Sequence, residues 1–228
     1  MAVALAACSD SNPTNAVAPP QGPTAEVVAP DPTLATALTV SYQDPSADSV
    51  RAEYQSADGT DAGDTPWYPS STGDLPVLGL RASTPYLITL QSRRGHSITN
   101  GNTVTQNTGP LPVGLQGVSM SRVSGASPSG GYTLTALIAG DGNGYAVAFD
   151  SSGTLRWYRG IGRHDVMETK QQPNGDITIY VGSSRGFDPL PGGYLEVTPT
   201  GDSVRMGTGY RQPIHRPARA DSPSGRSR

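Results

Sequence analysis

The sequence predicts an all-β protein, in which a β-sandwich is followed by two blades of an incomplete β-propeller. Glycine and proline are frequent, with 28 Gly and 21 Pro in 228 residues, whereas about 12% is the usual combined share. Charged residues make up only 15% and aromatic residues 6%. Short alternating apolar runs separated by turn residues recur along the chain. These features favour strands and turns over a helical bundle or a coiled coil.

The β-sandwich is predicted over residues 34–112. Alternating runs cover 34–42, 49–57, 75–80 and 85–93, and the clusters QDPSAD, DGTDAGDTP, RRGH and TNGN separate or follow them. The stretch from Leu80 to Tyr86 resembles the tyrosine corner of fibronectin type III domains, in which a buried Tyr hydroxyl binds nearby backbone. The sandwich is therefore expected to be fibronectin III or Ig-like.

Two other features of this region bear on binding. Trp67 and Tyr68 lie between prolines. They could form a platform for a sugar or an aromatic ring, or they could cap the end of the sandwich as loop residues. His96 follows two arginines and is expected in a solvent-exposed turn.

Residues 113–210 contain a repeat. The stretch GYAVAFDSSGTLRW begins at Gly144, and the similar stretch GYLEVTPTGDSVR begins 49 residues later at Gly193. Another predicted hairpin precedes each stretch, and the second of these turns at Pro173-Asn174-Gly175. Four strands per period of 40–50 residues are typical of a propeller blade. Two chance hairpins within one antiparallel sandwich are the alternative explanation.

The N-terminus carries an export signal in this interpretation. Leu5-Ala6-Ala7-Cys8 matches the lipobox of bacterial lipoproteins, and Cys8 is the only cysteine. Residues 1–8 would be the remnant of a signal whose start lies upstream, and residues 9–33 a flexible Pro/Ala-rich tether. The mature protein would be a membrane-anchored lipoprotein, periplasmic or at the cell surface. A chance LAAC sequence is the alternative.

The C-terminal segment differs from the rest of the chain. Residues 211–228 contain five arginines, no aromatic residue, and Ile214 as the one large aliphatic residue. This segment is expected to be disordered, either as a basic tail or as the product of a shifted reading frame. The net charge of the whole chain is -3, which predicts no nucleic-acid partner.

The stretch from Tyr132 to Arg205 resembles the bacterial aryl-sulfate sulfotransferases. The resemblance lies in GYAVAFDSSGTLRWYR (144–159), ETKQQPNGDITIYVGSS (168–184) and GGYLEVTPTGDSVR (192–205). Members of that family have a β-sandwich ahead of a six-bladed propeller. The resemblance implies transfer of a sulfuryl group from a phenolic sulfate ester to a phenol through a sulfo-histidine, without a nucleotide sulfate donor. We predict no cofactor and assign no metal-binding residue.

The resemblance assigns no catalytic residue to this chain. In the family a His-Asp pair precedes the Pro-Asn-Gly turn by about six residues, but Met167-Glu168 occupies that position here. His164 is displaced by three residues and is the one candidate, with Arg163 and Lys170 as candidate substrate-binding cations. The catalytic histidines are expected downstream of Tyr210, so the chain is expected to be inactive alone.

A second function is compatible with the same residues. A tethered lipoprotein with a fibronectin-like module and an incomplete propeller could be a non-enzymatic binding or scaffold protein at the surface. The two hypotheses differ in whether a substrate is converted.

We predict that Cys8 is lipidated. Cells expressing the chain with its upstream signal should accumulate a mature form that begins at a diacylglyceryl-modified Cys8, and this form should partition into detergent. Mass spectrometry of the mature N-terminus measures this directly, with Cys8→Ser as the control. An unmodified Met1 in the cellular protein would contradict the prediction.

Overall fold

The computed structural model describes residues 22–44, 46–121, 123, 131–163, 165–182 and 192–208. Short strands joined by turns dominate these residues, as expected from the high glycine and proline content. No helix among them is long and apolar enough to cross a membrane. The strands are β1 Thr24–Pro30, β2 Leu38–Gln43, β3 Ser49–Ser56, β4 Ala62–Asp64, β5 Tyr68–Pro69, β6 Asp74–Val77, β7 Pro85–Arg94, β8 Ser97–Asn107, β9 Thr133–Ile138, β10 Gly144–Phe149, β11 Leu155–Gly162, β12 Val166–Gln171, β13 Ile177–Val181, β14 Gly193–Val197 and β15 Ser203–Thr208.

The first two sheets form a sandwich. The first sheet has the order β1-β2-β6, and the second has the order β4-β3-β7-β8 with β5 also paired to β3. Alternate residues point inwards, as Leu38 and Val40 do on β2 and Tyr86, Ile88 and Leu90 do on β7. The prediction of an all-β protein is confirmed, and side chains from both sheets form one core, as in a sandwich.

The tyrosine corner forms as the sequence predicts. Tyr86 is fully buried, and its hydroxyl accepts a hydrogen bond of 2.9 Å from the backbone N–H of Arg81. The same hydroxyl donates to Asp61. The corner therefore ties the start of β7 both to the preceding loop and to the loop before β4.

The sandwich begins earlier than the sequence suggests. Residues Thr24–Pro30 lie within the predicted flexible tether 9–33, but they form β1 and pair along β2. The small apolar residues Ala25 and Val28 pack against the core. The tether prediction assumed that this segment buries too little apolar surface to become ordered. The rest of that tether, residues 9–21, lies outside the described residues, as do residues 1–8 and 211–228.

Strand β8 runs through the predicted turn cluster TNGN. The pairing with β7 has a bulge on β8 at this cluster, where Gly101 and Asn102 lie opposite the single β7 residue Leu90. The backbone of Pro23 approaches Gly101 so closely that a side chain there would collide with the Pro23 carbonyl. The glycine therefore permits close contact with the N-terminal segment and does not mark a turn.

The third and fourth sheets follow the sandwich. The third has the order β11-β10-β9, and the fourth is a meander with the order β12-β13-β14-β15. The sequence predicts four strands for each. The fourth sheet has them, whereas the described residues of the third contain three, and residues 122 and 124–130 of the predicted first strand lie outside the described residues.

Four turns in these two sheets share one hydrogen-bond pattern. In each turn the N–H of the first residue donates to the carbonyl of the residue four positions later. A glycine lies three positions after the first residue, and its N–H donates to the carbonyl of that first residue. Each of these glycines has a positive φ, which suits the left-handed position of such turns. The repeat seen in the sequence is therefore partly a repeat of turn chemistry. The first residue and the glycine of each turn are Ala139 and Gly142, Asp150 and Gly153, Gln172 and Gly175, and Thr198 and Gly201.

We expect Tyr86→Phe to lower the free energy of unfolding by about 2 kcal/mol, because a buried carboxylate and a backbone N–H lose their shared partner. Chemical denaturation of the full chain measures the change. The control Tyr132→Phe alters a tyrosine that is 63% exposed and should change the value by less than about 0.5 kcal/mol. Equal effects of the two variants would contradict the role given to the corner.

Candidate functional site

A buried arginine joins the sandwich to the third sheet. The Arg156 side chain is only 9% exposed. Its Nη1 and Nη2 donate to Oδ2 and Oδ1 of Asp61 at 2.5 and 3.2 Å, and its Nε donates to Oδ2 of Asp150 at 2.6 Å. Nη1 also donates to the carbonyl of Gly79 at 3.2 Å. One guanidinium thus binds two loops of the sandwich and the β10–β11 turn of the third sheet.

The pKa values of all three groups in this cluster are shifted in the direction that favours their charged forms. Burial acts to raise the pKa of Asp61, but hydrogen bonds from Arg156 and Tyr86 outweigh it and hold the pKa below the usual range. Burial acts in the same way on Asp150, where bonds from Ser152 and Arg156 lower the pKa to about 2. Burial lowers the pKa of Arg156, and the two carboxylates more than compensate and raise it.

Apolar side chains and one hydrogen bond complete the junction. Leu34 and Ala35, from the β1–β2 loop, belong to the same core cluster as Leu115, Tyr145 and the interior of the third sheet. The backbone N–H of Ala35 donates to the hydroxyl of Tyr158 at 2.9 Å. The sandwich and the third sheet therefore share buried surface.

Two cavities lie at this junction. The larger is a cleft of about 480 Å³, whose lining includes Asp31, Pro110, Tyr145, Tyr158 and Arg159. Its two tyrosine rings make an edge-to-face contact with centroids 6.4 Å apart.

The smaller is a cavity of about 300 Å³ where the sandwich, the third sheet and the fourth sheet meet. Its walls are mainly apolar. Both volumes fall within the usual range of ligand pockets, about 300–1,000 Å³.

The structure does not gather the predicted site residues into one pocket. Arg163 lies just after the end of β11, Lys170 lies on β12, and both are exposed. His164 lies outside the described residues, and so do Cys8 and Tyr210. Among the described residues there is no group of three or more His, Cys, Asp or Glu side chains that could hold a metal ion.

Trp67 is not an open platform. The ring is half-buried, and the guanidinium carbons of Arg51 and Arg93 lie 4.8 and 4.9 Å from its centre. Arg51 also pairs with Asp64 at 3.1 Å. The tryptophan therefore belongs to a cation–π cluster on the second sheet. His96 is exposed at the β7–β8 turn.

The role of Arg156 was not predicted from the sequence. A charged residue within the apolar stretch Leu155–Tyr158 was the available signal, because a charge is buried only where a partner neutralises it. The partner Asp61 is 95 residues away in the sequence, so the pairing itself could not be read from spacing.

We expect Arg156→Met to lower the free energy of unfolding by about 3 kcal/mol at neutral pH, because two partly buried carboxylates lose their counter-charge. A carboxyl group whose pKa is lower in the folded protein than in the unfolded chain, where it is about 3.9, stabilises the fold at pH values above about 3.9. This stabilisation is lost as the pH falls towards about 2. In the variant the two carboxylates have no cation beside them, so their negative charge destabilises the fold until they are protonated. The difference between the two proteins should therefore shrink as the pH falls from about 7 to about 3.

Denaturation at several pH values tests this expectation. Arg51→Met is the control, since its partner Asp64 is 44% exposed and stays solvated without the arginine, so its removal should cost less than about 1 kcal/mol. A pH-independent difference for Arg156→Met would show that packing, and not charge, explains the loss.

Comparison with known proteins gives structural neighbours and no family. No protein-family profile and no curated protein matches the sequence. The fn3 domain of the human collagen alpha-1(XX) chain matches with 22% identity over 53% of this chain and 99% of that chain, at a TM-score of 0.32. A two-domain fibronectin type III segment from chicken tenascin matches with 20% identity over 78% of this chain and 99% of that chain, at a TM-score of 0.33.

Proposed function

We propose that this chain is the N-terminal part of an aryl-sulfate sulfotransferase, consisting of the β-sandwich and the first two propeller blades. The observation that carries the proposal is the arrangement of the third and fourth sheets. They are consecutive antiparallel sheets, and β9 and β12, which are edge strands of the two sheets among the described residues, lie close together. Blades of a propeller are arranged in this way, with one edge strand of each blade near a common axis.

The direction of packing supports the same proposal. The shared turns align Val147 and Phe149 with Leu195 and Val197. Val197 pairs with Ile177, and Ile177 lines the smaller cavity together with Ala148 of the third sheet, so this face of the fourth sheet is turned towards the third. Val147 and Phe149 alternate with Ala148 along β10 and therefore point to the opposite face of the third sheet. Each sheet therefore turns the equivalent face towards the element that precedes it, as stacked repeats do.

The other face of the fourth sheet is available to a further blade. It carries Tyr180 and Tyr194, whose ring centres are 5.0 Å apart, and Tyr194 is 46% exposed. The aligned face of the third sheet carries Ala148 and Trp157, and the Trp157 indole donates to the Pro199 carbonyl of the fourth sheet at 2.7 Å. A following blade would cover Tyr180 and Tyr194 in the same manner.

The proposed reaction is a two-step transfer. A histidine nitrogen attacks the sulfur of a phenolic sulfate ester, the bond from sulfur to the aryl oxygen breaks, and the phenolate leaves and takes up a proton. The oxygen of an acceptor phenol then attacks the sulfur, its proton passes to a base, and the bond from sulfur to the histidine nitrogen breaks. The proton released in this step balances the one that the leaving phenolate takes up. Cations around the sulfate oxygens stabilise both transition states. The reaction uses no cofactor and no metal ion.

This chain contributes few groups to that chemistry. Arg163 directly follows β11, Lys170 lies near the end of β12, and His164 lies between them in the sequence. We assign these cations to the attraction of the anionic donor. The nucleophile is assigned to further blades, and Cys8 to a lipid anchor that holds the protein at the periplasmic or cell-surface side of a membrane.

A non-enzymatic role is the second candidate, and the sandwich favours it. The Arg51–Trp67–Arg93 cluster places aromatic and cationic surface on the second sheet. A surface-tethered binding or scaffold protein could use such a cluster without converting a ligand.

We expect the 228-residue chain to release no measurable nitrophenol from 4-nitrophenyl sulfate in the presence of phenol, because the nucleophile is lacking. A product extended by the blades encoded downstream should release it. Translation of the downstream DNA in all frames should give four further blades with histidines on their first strands.

Two results would contradict the proposal. Downstream sequence without such repeats would favour the binding protein. Nitrophenol release by the 228-residue chain that His164→Ala abolishes, while Arg205→Met retains it, would place the nucleophile in the present chain.

A further inference from the structure

The smaller junction cavity has a composition that suits a ligand of one chemical class. Its wall comes from three parts of the molecule, with Leu78 from the sandwich, Leu134, Ala148 and Trp157 from the third sheet, and Ile177 and Pro199 from the fourth. These side chains are aliphatic or aromatic. Pockets at the junction of packed units are common positions for small-molecule sites.

The local sequence keeps this space open. Gly79 and Gly175 line it without side chains, and both have positive φ angles of 75° and 92°, so a larger residue there would be strained. Ala148 is the small residue on the central strand. The Trp157 ring cannot swing into the space without losing its hydrogen bond to the Pro199 carbonyl.

The charged groups at the cavity wall favour a neutral ligand over an anionic one. Arg156 is the charged residue of the lining, but its donors are occupied by Asp61 and Asp150. Both carboxyl pKa values are low, and Arg81 also acts on Asp61, so the cluster has no excess positive charge at neutral pH. An anion would therefore have to compete with Asp61 and Asp150 for the guanidinium of Arg156.

We propose that this cavity binds a small neutral aromatic molecule of one or two rings, such as a phenol or a naphthol. A dry apolar cavity of about 150 Å³ is known to hold benzene, so about 300 Å³ accommodates a ring with a substituent or a second ring. The ring packs against Trp157 and the aliphatic wall. Neither Arg163 nor Lys170 lines the cavity, and the inference does not depend on sulfuryl transfer.

The test compares two ligands of the same shape and different charge. Isothermal titration of the full chain with 2-naphthol should give saturable binding, and naphthalene-2-sulfonate should bind at least about tenfold more weakly. Leu134→Phe, which fills the cavity, should weaken 2-naphthol binding at least about tenfold. Ile138→Phe is the matched control on the same strand, since Ile138 is 61% exposed and lies outside the lining.

Equal affinities for the two ligands, or unchanged binding by a folded Leu134→Phe variant, would overturn the proposal. If Leu134→Phe fails to fold, nuclear Overhauser contacts in the unaltered chain decide the matter. They should connect the naphthol ring protons to Trp157 and to the methyl groups of Ile177. Contacts to other residues alone would place the ligand elsewhere and reject the site.

Discussion

The guanidinium of Arg156 is the constraint on which the arrangement of this molecule depends. A nearly buried cation is tolerated only where carboxylates satisfy its charge and its donors in good geometry. Here one carboxylate, Asp61, comes from the sandwich and the other, Asp150, comes from a turn of the third sheet. Because the pairing has directional hydrogen bonds, it fixes the orientation of the third sheet relative to the sandwich. Apolar contact alone would fix that orientation less strictly.

The tyrosine corner and this ion cluster form one continuous polar network. The hydroxyl of Tyr86 binds both the Arg81 N–H and Asp61, and Asp61 in turn binds Arg156. A motif that ordinarily stabilises a single sandwich therefore also orients the carboxylate that receives the neighbouring sheet. Arg156 lines the smaller junction cavity, so the shape of that cavity depends on how the network holds the sandwich and the third sheet together.

Much of the fold could be predicted from local pattern, and the remainder depended on contacts distant in sequence. The alternation over 85–93, the Tyr86 corner and the Pro173-Asn174-Gly175 turn were visible because neighbouring residues determine them. Strand β1 was missed because its Pro/Ala-rich composition resembles a tether, and its burial depends on β2. Strand β8 was missed because Gly101 serves a close backbone approach. Arg156 was missed because its partner lies 95 residues away.

The partners of each cation distinguish those that stabilise the structure from those that are exposed to a ligand. Arg156 is held by two carboxylates, and Arg51 by Asp64 and the Trp67 ring, so a sulfate ester would have to displace existing partners to bind either of them. Arg163, directly after β11, and Lys170, on β12, are exposed. Under the proposed transferase function, these two cations attract the anionic donor, whereas the ligand proposed for the smaller junction cavity is neutral. The two proposals therefore concern different groups of residues with different chemistry.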